Sequence, residues 1–215
     1  MLFDVDGTLL LTHDEVYVEA SRLALEAVFG SYPDGPDLPG DTAAAHIRRA
    51  LRAAKVPEPE IDVGLPRWCE TFSAEYVHLL ADADTSHWER GPHAFEAAAA
   101  VEHRALLTGN PPAVAHARMD RLGLNELFPR GQGAFGCERE DRSELFDLAL
   151  ERAGNWPRER TVAVGDTPLD VSSAHAAGCR CVGVTTGRYG REQLEEADLV
   201  IADLGELAHA LETLG

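Results

Sequence analysis

The sequence predicts an α/β fold: a parallel sheet with helices on both faces and an all-helical insert behind its first strand. Three observations carry this. The chain opens on a short apolar strand, Met1-Leu2-Phe3, that runs into Asp4-Val5-Asp6-Gly7-Thr8. Residues 14–89 show helical periodicity and loop punctuation only. From Arg90 onward, strand and helix patterns alternate, which is the texture of a parallel sheet.

The bulk properties narrow the function. The 215 residues suit one large domain or a domain carrying an insertion, and 45% hydrophobic residues can fill a sizeable core. A net charge of −18 repels nucleic acid and anionic membrane surfaces, so neither is an expected partner. An anionic substrate must then be held by a local positive site. All basic residues are arginine except Lys55. No apolar run reaches the roughly 20 residues that span a bilayer, and no signal-peptide pattern precedes the first strand. The expectation is a cytoplasmic protein whose four cysteines, Cys69, Cys137, Cys179 and Cys181, are reduced. Cys179 and Cys181 sit two apart in an apolar run and read as small hydrophobes on one strand face; nothing completes a zinc site around them.

In chain order, the first strand has only three residues before Asp4, where about five or six are usual. Either the true start lies a few residues upstream or Asp4 hangs on a short, weakly paired strand. Asp14 is placed to cap a helix through Phe29, with Val16, Leu23, Ala27 and Val18, Leu25 at helical spacing. Prolines and glycines from Ser31 to Gly40 mark a loop. Asp41 or Thr42 then caps a helix through Ala54, with Ile47, Leu51 and Ala54 as its stripe, and Pro57 and Pro59 break it. A third helix is expected from about Leu65 to Ala81, with Trp68, Phe72, Tyr76 and Leu79 or Leu80 as core. The division is 1–13 and 90–215 for the α/β core and 14–89 for the helical cap.

Within the core, Pro92 to Val101 reads as an alanine-rich helix, and Arg104 to Asn110 as a strand running into a turn. Pro111-Pro112 opens a helix through Leu122, since proline suits a first helical turn. Gly133 to Gly136 is a short strand, Ser143 to Ala153 a helix stopped by Gly154, and Arg160 to Asp166 a strand ending in acid. A helix from Leu169 to Ala177 and strands at Arg180–Thr185 and Leu199–Ile201 complete the pattern.

Three strand ends therefore meet at one edge of the sheet, where open α/β sheets bind ligands. The first brings Asp4 and Asp6, spaced so that both start on one face, with Gly7 letting the backbone turn. The second brings Thr108 and the amides of Gly109 and Asn110 at a helix start, a phosphate cradle. The third brings Asp166 and, one helical turn later, Asp170. Taken alone, Thr108 reads as an N-cap and the pair Asp166, Asp170 as a cap with a first-turn acid. Taken together, four carboxylates at one edge cannot all stay ionised without a cation, and hard oxygen donors with no cysteine or histidine favour Mg²⁺.

These motifs are Asp4-Val5-Asp6-Gly7-Thr8, Leu106-Leu107-Thr108-Gly109-Asn110, a basic residue near Arg142, and Val164-Gly165-Asp166-Thr167-Pro168-Leu169-Asp170. Their order over nearly the whole chain resembles the haloacid dehalogenase (HAD) superfamily of hydrolases, in its phosphoglycolate-phosphatase-like form with a helical cap on a Rossmann-like core. The resemblance implies Asp4 as nucleophile through an aspartyl-phosphate, and Asp6 as general acid and then base. It implies Thr108 and a basic side chain holding the phosphoryl group. Mg²⁺ would sit on Asp4, the backbone carbonyl of Asp6 and Asp166, with Thr8 and Asp170 in support. The family usually has lysine at the basic position. Here Arg142, just ahead of the helix from Ser143, matches best and Arg139 is the rival. Asp6 favours phosphoryl transfer over dehalogenation, because a halide leaves without a proton.

The expected activity is Mg²⁺-dependent hydrolysis of a small phosphorylated metabolite. Sugar-phosphate mutase or phosphonate hydrolase chemistry is the first alternative. Both lean on basic cap residues, and Lys55 is the only candidate lysine. A catalytically silent binding or regulatory protein is the second.

Overall fold

The computed structural model describes residues 1–30 and 38–215, so most of the predicted Ser31–Gly40 loop lies outside the described residues. Six strands, β1 (Leu2–Phe3), β2 (Ala105–Thr108), β3 (Ala134–Phe135), β4 (Val162–Gly165), β5 (Arg180–Val184) and β6 (Leu199–Ile201), form one sheet. Every pair is parallel and the order is β3-β2-β1-β4-β5-β6. The strands are runs of apolar residues because both faces are covered.

The first strand is short, as expected, but it is not weakly held. Leu2 pairs with Ala105 on one side and Ala163 on the other, and Phe3 with Leu106 and Val164. The amide of Asp4 continues the ladder by donating to the Val164 carbonyl at 2.9 Å. Because successive side chains alternate faces, Phe3 joins Leu106, Val164 and Val182 in one core layer and Leu2 joins Leu107, Ala163 and Cys181 in the other. The first layer is covered by α4 (Ala94–Ala99), α5 (Pro112–Leu122) and α8 (Leu207–Leu214), the second by α6 (Arg142–Arg152) and α7 (Pro168–Ala176).

The helical cap region lies between β1 and α4 and consists of α1 (Glu15–Phe29), α2 (Ala43–Ala53) and α3 (Glu58–Asp82). Asp14 caps α1 by accepting from the Tyr17 amide, and Gly30 ends it in the left-handed conformation. The buried face of α1 is Ala20, Ser21, Ala24 and Leu25; of the expected pair Val18 and Leu25, Leu25 is buried and Val18 is 43% exposed. Of the two candidate caps for α2, Thr42 is the residue used. The third helix starts at Glu58, not near Leu65: Pro57 precedes it and Pro59 sits in its first turn, where a missing N–H costs nothing. Trp68, Phe72 and Tyr76 are buried and stack along the helix as the centre of the cap core.

The cap is seated on the sheet's carboxyl edge. The amides at the start of α2 donate into the core, Ala43 to the Gly109 carbonyl at 2.8 Å and Ala44 to the Gly136 carbonyl at 3.2 Å. The Thr42 hydroxyl donates to the Glu140 carbonyl at 2.8 Å. A disulfide joins Cys69 on α3 to Cys137 just after β3, with Cα atoms 6.0 Å apart. That corrects the expectation of four reduced thiols. The two partners lie 68 residues apart in different parts of the fold, so no local pattern pointed to the bond. Cys179 and Cys181 are free and buried, as expected. Among the described residues, no helix is long and apolar enough to cross a membrane.

Candidate active site

The ends of β1 and β4 and the start of α7 place Asp4, Asp166 and Asp170 together. All three are buried, and one oxygen from each lies within 4.8 Å of the others. Burial, followed by the neighbouring Asp170 charge, holds the Asp4 carboxyl well above the usual range and pushes Asp166 up to about 7. Asp170 is fully engaged: Thr167 donates to its Oδ2 from the amide at 3.0 Å and from the hydroxyl at 2.6 Å, and Arg142 binds its Oδ1. Asp166 is different, because its Oδ1 is buried with no hydrogen-bond partner. Glycines press on it from two sides; a Cβ at Gly7 would come within 2.3 Å of its carboxylate and one at Gly187 within 1.7 Å.

The guanidinium of Arg142 faces this cluster. The Nη2 of Arg142 donates to Asp4 Oδ1 at 2.8 Å and also to Asp170, and its Nη1 donates to the Gly40 carbonyl of the cap at 2.7 Å. Arg142 is the first residue of α6, at the inner end, and is buried. Arg139 is exposed and binds the Glu138 carbonyl. The one positive charge of Arg142 does not balance the three carboxylates it faces. Hard oxygen donors, an unpartnered buried Asp166 oxygen and carboxyls pushed toward protonation fit a metal ion, which this group could hold.

Asp6 departs from the expected set of four. It follows Asp4 on the same edge, but its carboxylate turns away and is 55% exposed. It accepts from Asn110 Nδ2 at 2.6 Å and from Arg118 Nη1 at 2.8 and 3.0 Å. Thr108 is buried at the end of β2, and its oxygen accepts from the Asn110 side chain at 2.8 Å and amide at 3.3 Å. Two accepted bonds leave the Thr108 hydroxyl hydrogen to donate. The expected amide cradle is thinner than its motif suggests, since Pro111 and Pro112 have no N–H and the Asn110 amide faces Thr108. Gly109 is where the cap touches down: a Cβ there would lie 2.1 Å from the Asp41 carbonyl. Thr8 is fully buried with no partner for its hydroxyl.

Arg118 was not among the expected site residues. It sits on α5 at a position of the buried face, between Ala115 and Leu122, and is 2% exposed. The signal was available: an arginine in the apolar stripe of a core helix must have buried partners. Those partners are Asp6, Asn110, Asp14 and Tyr76. Between cap and core lies a cavity of about 580 Å³ with Asp4, Thr108, Arg142 and Asp166 from the core and Tyr17 and Trp68 from the cap in its walls.

A family model described as HAD-hydrolase-like matches residues 141–207, the stretch with Arg142, Asp166 and Asp170. The phosphoglycolate phosphatase of Pseudomonas putida is 29% identical over 96% of this chain and 77% of its own length. That of Agrobacterium fabrum is 27% identical over 98% and 91%. Among solved structures, CbbY from Rhodobacter sphaeroides in complex with phosphate superposes with a TM-score of 0.69 at 24% identity, covering 96% of this chain and 94% of that one. The β-phosphoglucomutase of Clostridium difficile does so with 0.69 at 19% identity, covering 99% and 95%. At those identities the structures speak for the fold alone. With its acids gathered at one sheet edge under a helical cap, the chain is similar to HAD-like hydrolases over residues 141–207 and, over nearly all of its length, to the phosphoglycolate phosphatases.

Proposed function

We propose that this hydrolase is a Mg²⁺-dependent phosphatase that cleaves a small phosphate monoester through an aspartyl-phosphate on Asp4. The observation that carries the reading is the pairing of Asp4 with Arg142 beside an Asp166 oxygen that no protein group satisfies. A carboxylate repels a phosphate dianion, so a nucleophilic aspartate needs positive charge around the phosphoryl group it attacks. Arg142 provides it from one side, with two donor nitrogens in a planar fork. Asp4, the backbone carbonyl of Asp6 and Asp166 would hold Mg²⁺, with Asp170 and Thr8 in support, and the bound ion supplies further charge neutralisation.

The chain's own residues do the rest. Asp4 attacks phosphorus. The Thr108 hydroxyl and the Gly109 and Asn110 backbone steady the phosphoryl oxygens. Asp6 protonates the leaving oxygen and then takes the proton of the water that cleaves the acyl phosphate. Lys55, the chain's only lysine, is exposed beyond the end of α2 and is not among the residues lining the cavity, which counts against phosphonate cleavage by a cap lysine. The likeness to phosphoglycolate phosphatases makes phosphoglycolate the first substrate to try. The test is a screen of phosphorylated metabolites and a generic aryl phosphate, each with Mg²⁺ and with EDTA. Turnover abolished by EDTA supports the reading, and no turnover on any phosphate refutes it.

A further inference from the structure

The guanidinium of Arg118 joins parts of the molecule that the chemistry must coordinate. On its inner side, Nη1 donates to both oxygens of Asp6 and, at 3.1 Å, to Asn110 Oδ1. On its outer side, Nε and Nη2 reach Asp14 Oδ2 at 2.9 and 2.8 Å, and the Tyr76 hydroxyl donates to that same oxygen at 2.7 Å. Its flat faces meet aromatic rings, with the guanidinium carbon 4.9 Å from the Tyr17 ring centre and 5.7 Å from that of Tyr76. Asp6 and Asn110 belong to the catalytic edge. Asp14, Tyr17 and Tyr76 belong to the cap and its entry. Arg118 itself rides on the core helix α5.

We propose that Arg118 is a positioning residue that ties the orientation of the Asp6 carboxyl to the seating of the cap. Asp6 is more than half exposed, and among the described residues its carboxylate bonds go to Arg118 and Asn110, which hold its side chain. Arg118 in turn is rigid, because a planar fork with partners at both ends and rings on its faces has one orientation. Two of its anchors, Asp14 and Tyr76, stand on the cap side. Moving the cap therefore unties the outer end of the guanidinium and loosens the inner end that holds Asp6. The inference rests on the assignment of Asp6 as the acid that protonates the leaving oxygen.

A leaving-group comparison tests it. An aryl phosphate such as p-nitrophenyl phosphate departs without protonation, whereas an alkyl phosphate needs a proton from Asp6. Asp6→Asn should cut the single-turnover rate of leaving-group release, which ends at the aspartyl-phosphate and so reads the acid role alone, about 100-fold or more on the alkyl phosphate and much less on the aryl phosphate. Arg118→Lys keeps a positive charge but cannot span both ends of the fork. It should lower that single-turnover rate about tenfold on the alkyl phosphate, by less than about threefold on the aryl phosphate, and leave KM nearly unchanged on both. If Asp6→Asn shows no discrimination, the assignment of Asp6 is what fails. If Asp6→Asn discriminates but Arg118→Lys loses equally on both substrates, or only in KM, the positioning role is overturned and Arg118 is a structural ion pair. Should Arg118→Lys not fold, Tyr76→Phe carries the test, because it leaves every charge pair in place. It should show the same discrimination at about threefold, and equal loss on both substrates overturns the proposal.

Discussion

Arg142 Nη2 lies 2.8 Å from Asp4 Oδ1. A buried guanidinium in contact with a buried carboxyl fixes which oxygen of Asp4 is held and leaves Oδ2 for other work. The same nitrogen binds Asp170, so the α6 start, the β1 end and the α7 start are locked to each other through one group. On the proposed reading, Arg142 is the cation that serves the phosphoryl group.

Arg142→Ala should therefore cripple turnover, while Arg139→Ala should leave it close to normal. Losing one charge-assisted contact to the transition state costs on the order of 2–4 kcal/mol, or roughly 30- to 1000-fold in kcat/KM. Arg142→Lys should recover much of the loss. Steady-state kinetics of the three variants on one aryl phosphate decide it, and a larger loss for Arg139→Ala would contradict the site geometry.

Much of this was legible because three motifs each end a strand in the same direction. Asp4, Thr108 and Asp166 had to share an edge once the strands were parallel, and Arg142, expected just ahead of the helix from Ser143, is the first residue of that helix and meets Asp4 there. What stayed hidden depends on contacts between distant segments. The turn of Asp6 toward Arg118 spans 112 residues, and the Cys69–Cys137 bond joins the cap to the core. The early start of α3 was obscured by Pro57 and Pro59, which read as breakers but stand where a helix begins. The last helix, α8, was not foreseen at all.

The pH dependence of metal binding follows from Asp166. Its folded-state pKa is raised from 3.8 to about 7, first by burial and then by Asp170. The folded protein thus binds this proton more tightly than the unfolded chain does. The stability it contributes is fully present below about pH 4 and is lost as pH rises through about 7. A cation competes with that proton. The rise in Tm on adding Mg²⁺ should be small about two pH units below 7 and large about one unit above it, and Asp166→Ala should flatten the difference. An equal Mg²⁺ shift at both pH values in the natural protein would count against Asp166 as a ligand.

Gly187→Ala should inactivate without unfolding. Its Cβ would fall 1.7 Å from Asp166 Oδ2, so the carboxylate must move. A displacement of about 1 Å in such a site costs on the order of 100-fold in rate. Circular dichroism and kcat measured together check this, and a variant with normal activity would show that Asp166 has slack.

The disulfide can be counted. Denatured but unreduced protein should react with a thiol reagent at two cysteines, Cys179 and Cys181, and at all four only after reduction. Cys69→Ser should lower stability by about 2–4 kcal/mol, since it frees a long loop in the unfolded chain. Four reactive thiols without reduction would rule the bond out.

The central claim is that Asp4 is the attacking group. Asp4→Asn changes one buried oxygen for an NH₂ group of nearly the same shape, so the far-ultraviolet circular dichroism spectrum should be unchanged. Hydrolysis of p-nitrophenyl phosphate in saturating Mg²⁺ should fall to background. A well-folded Asp4→Asn protein that still turns over the ester at an appreciable rate would contradict the account.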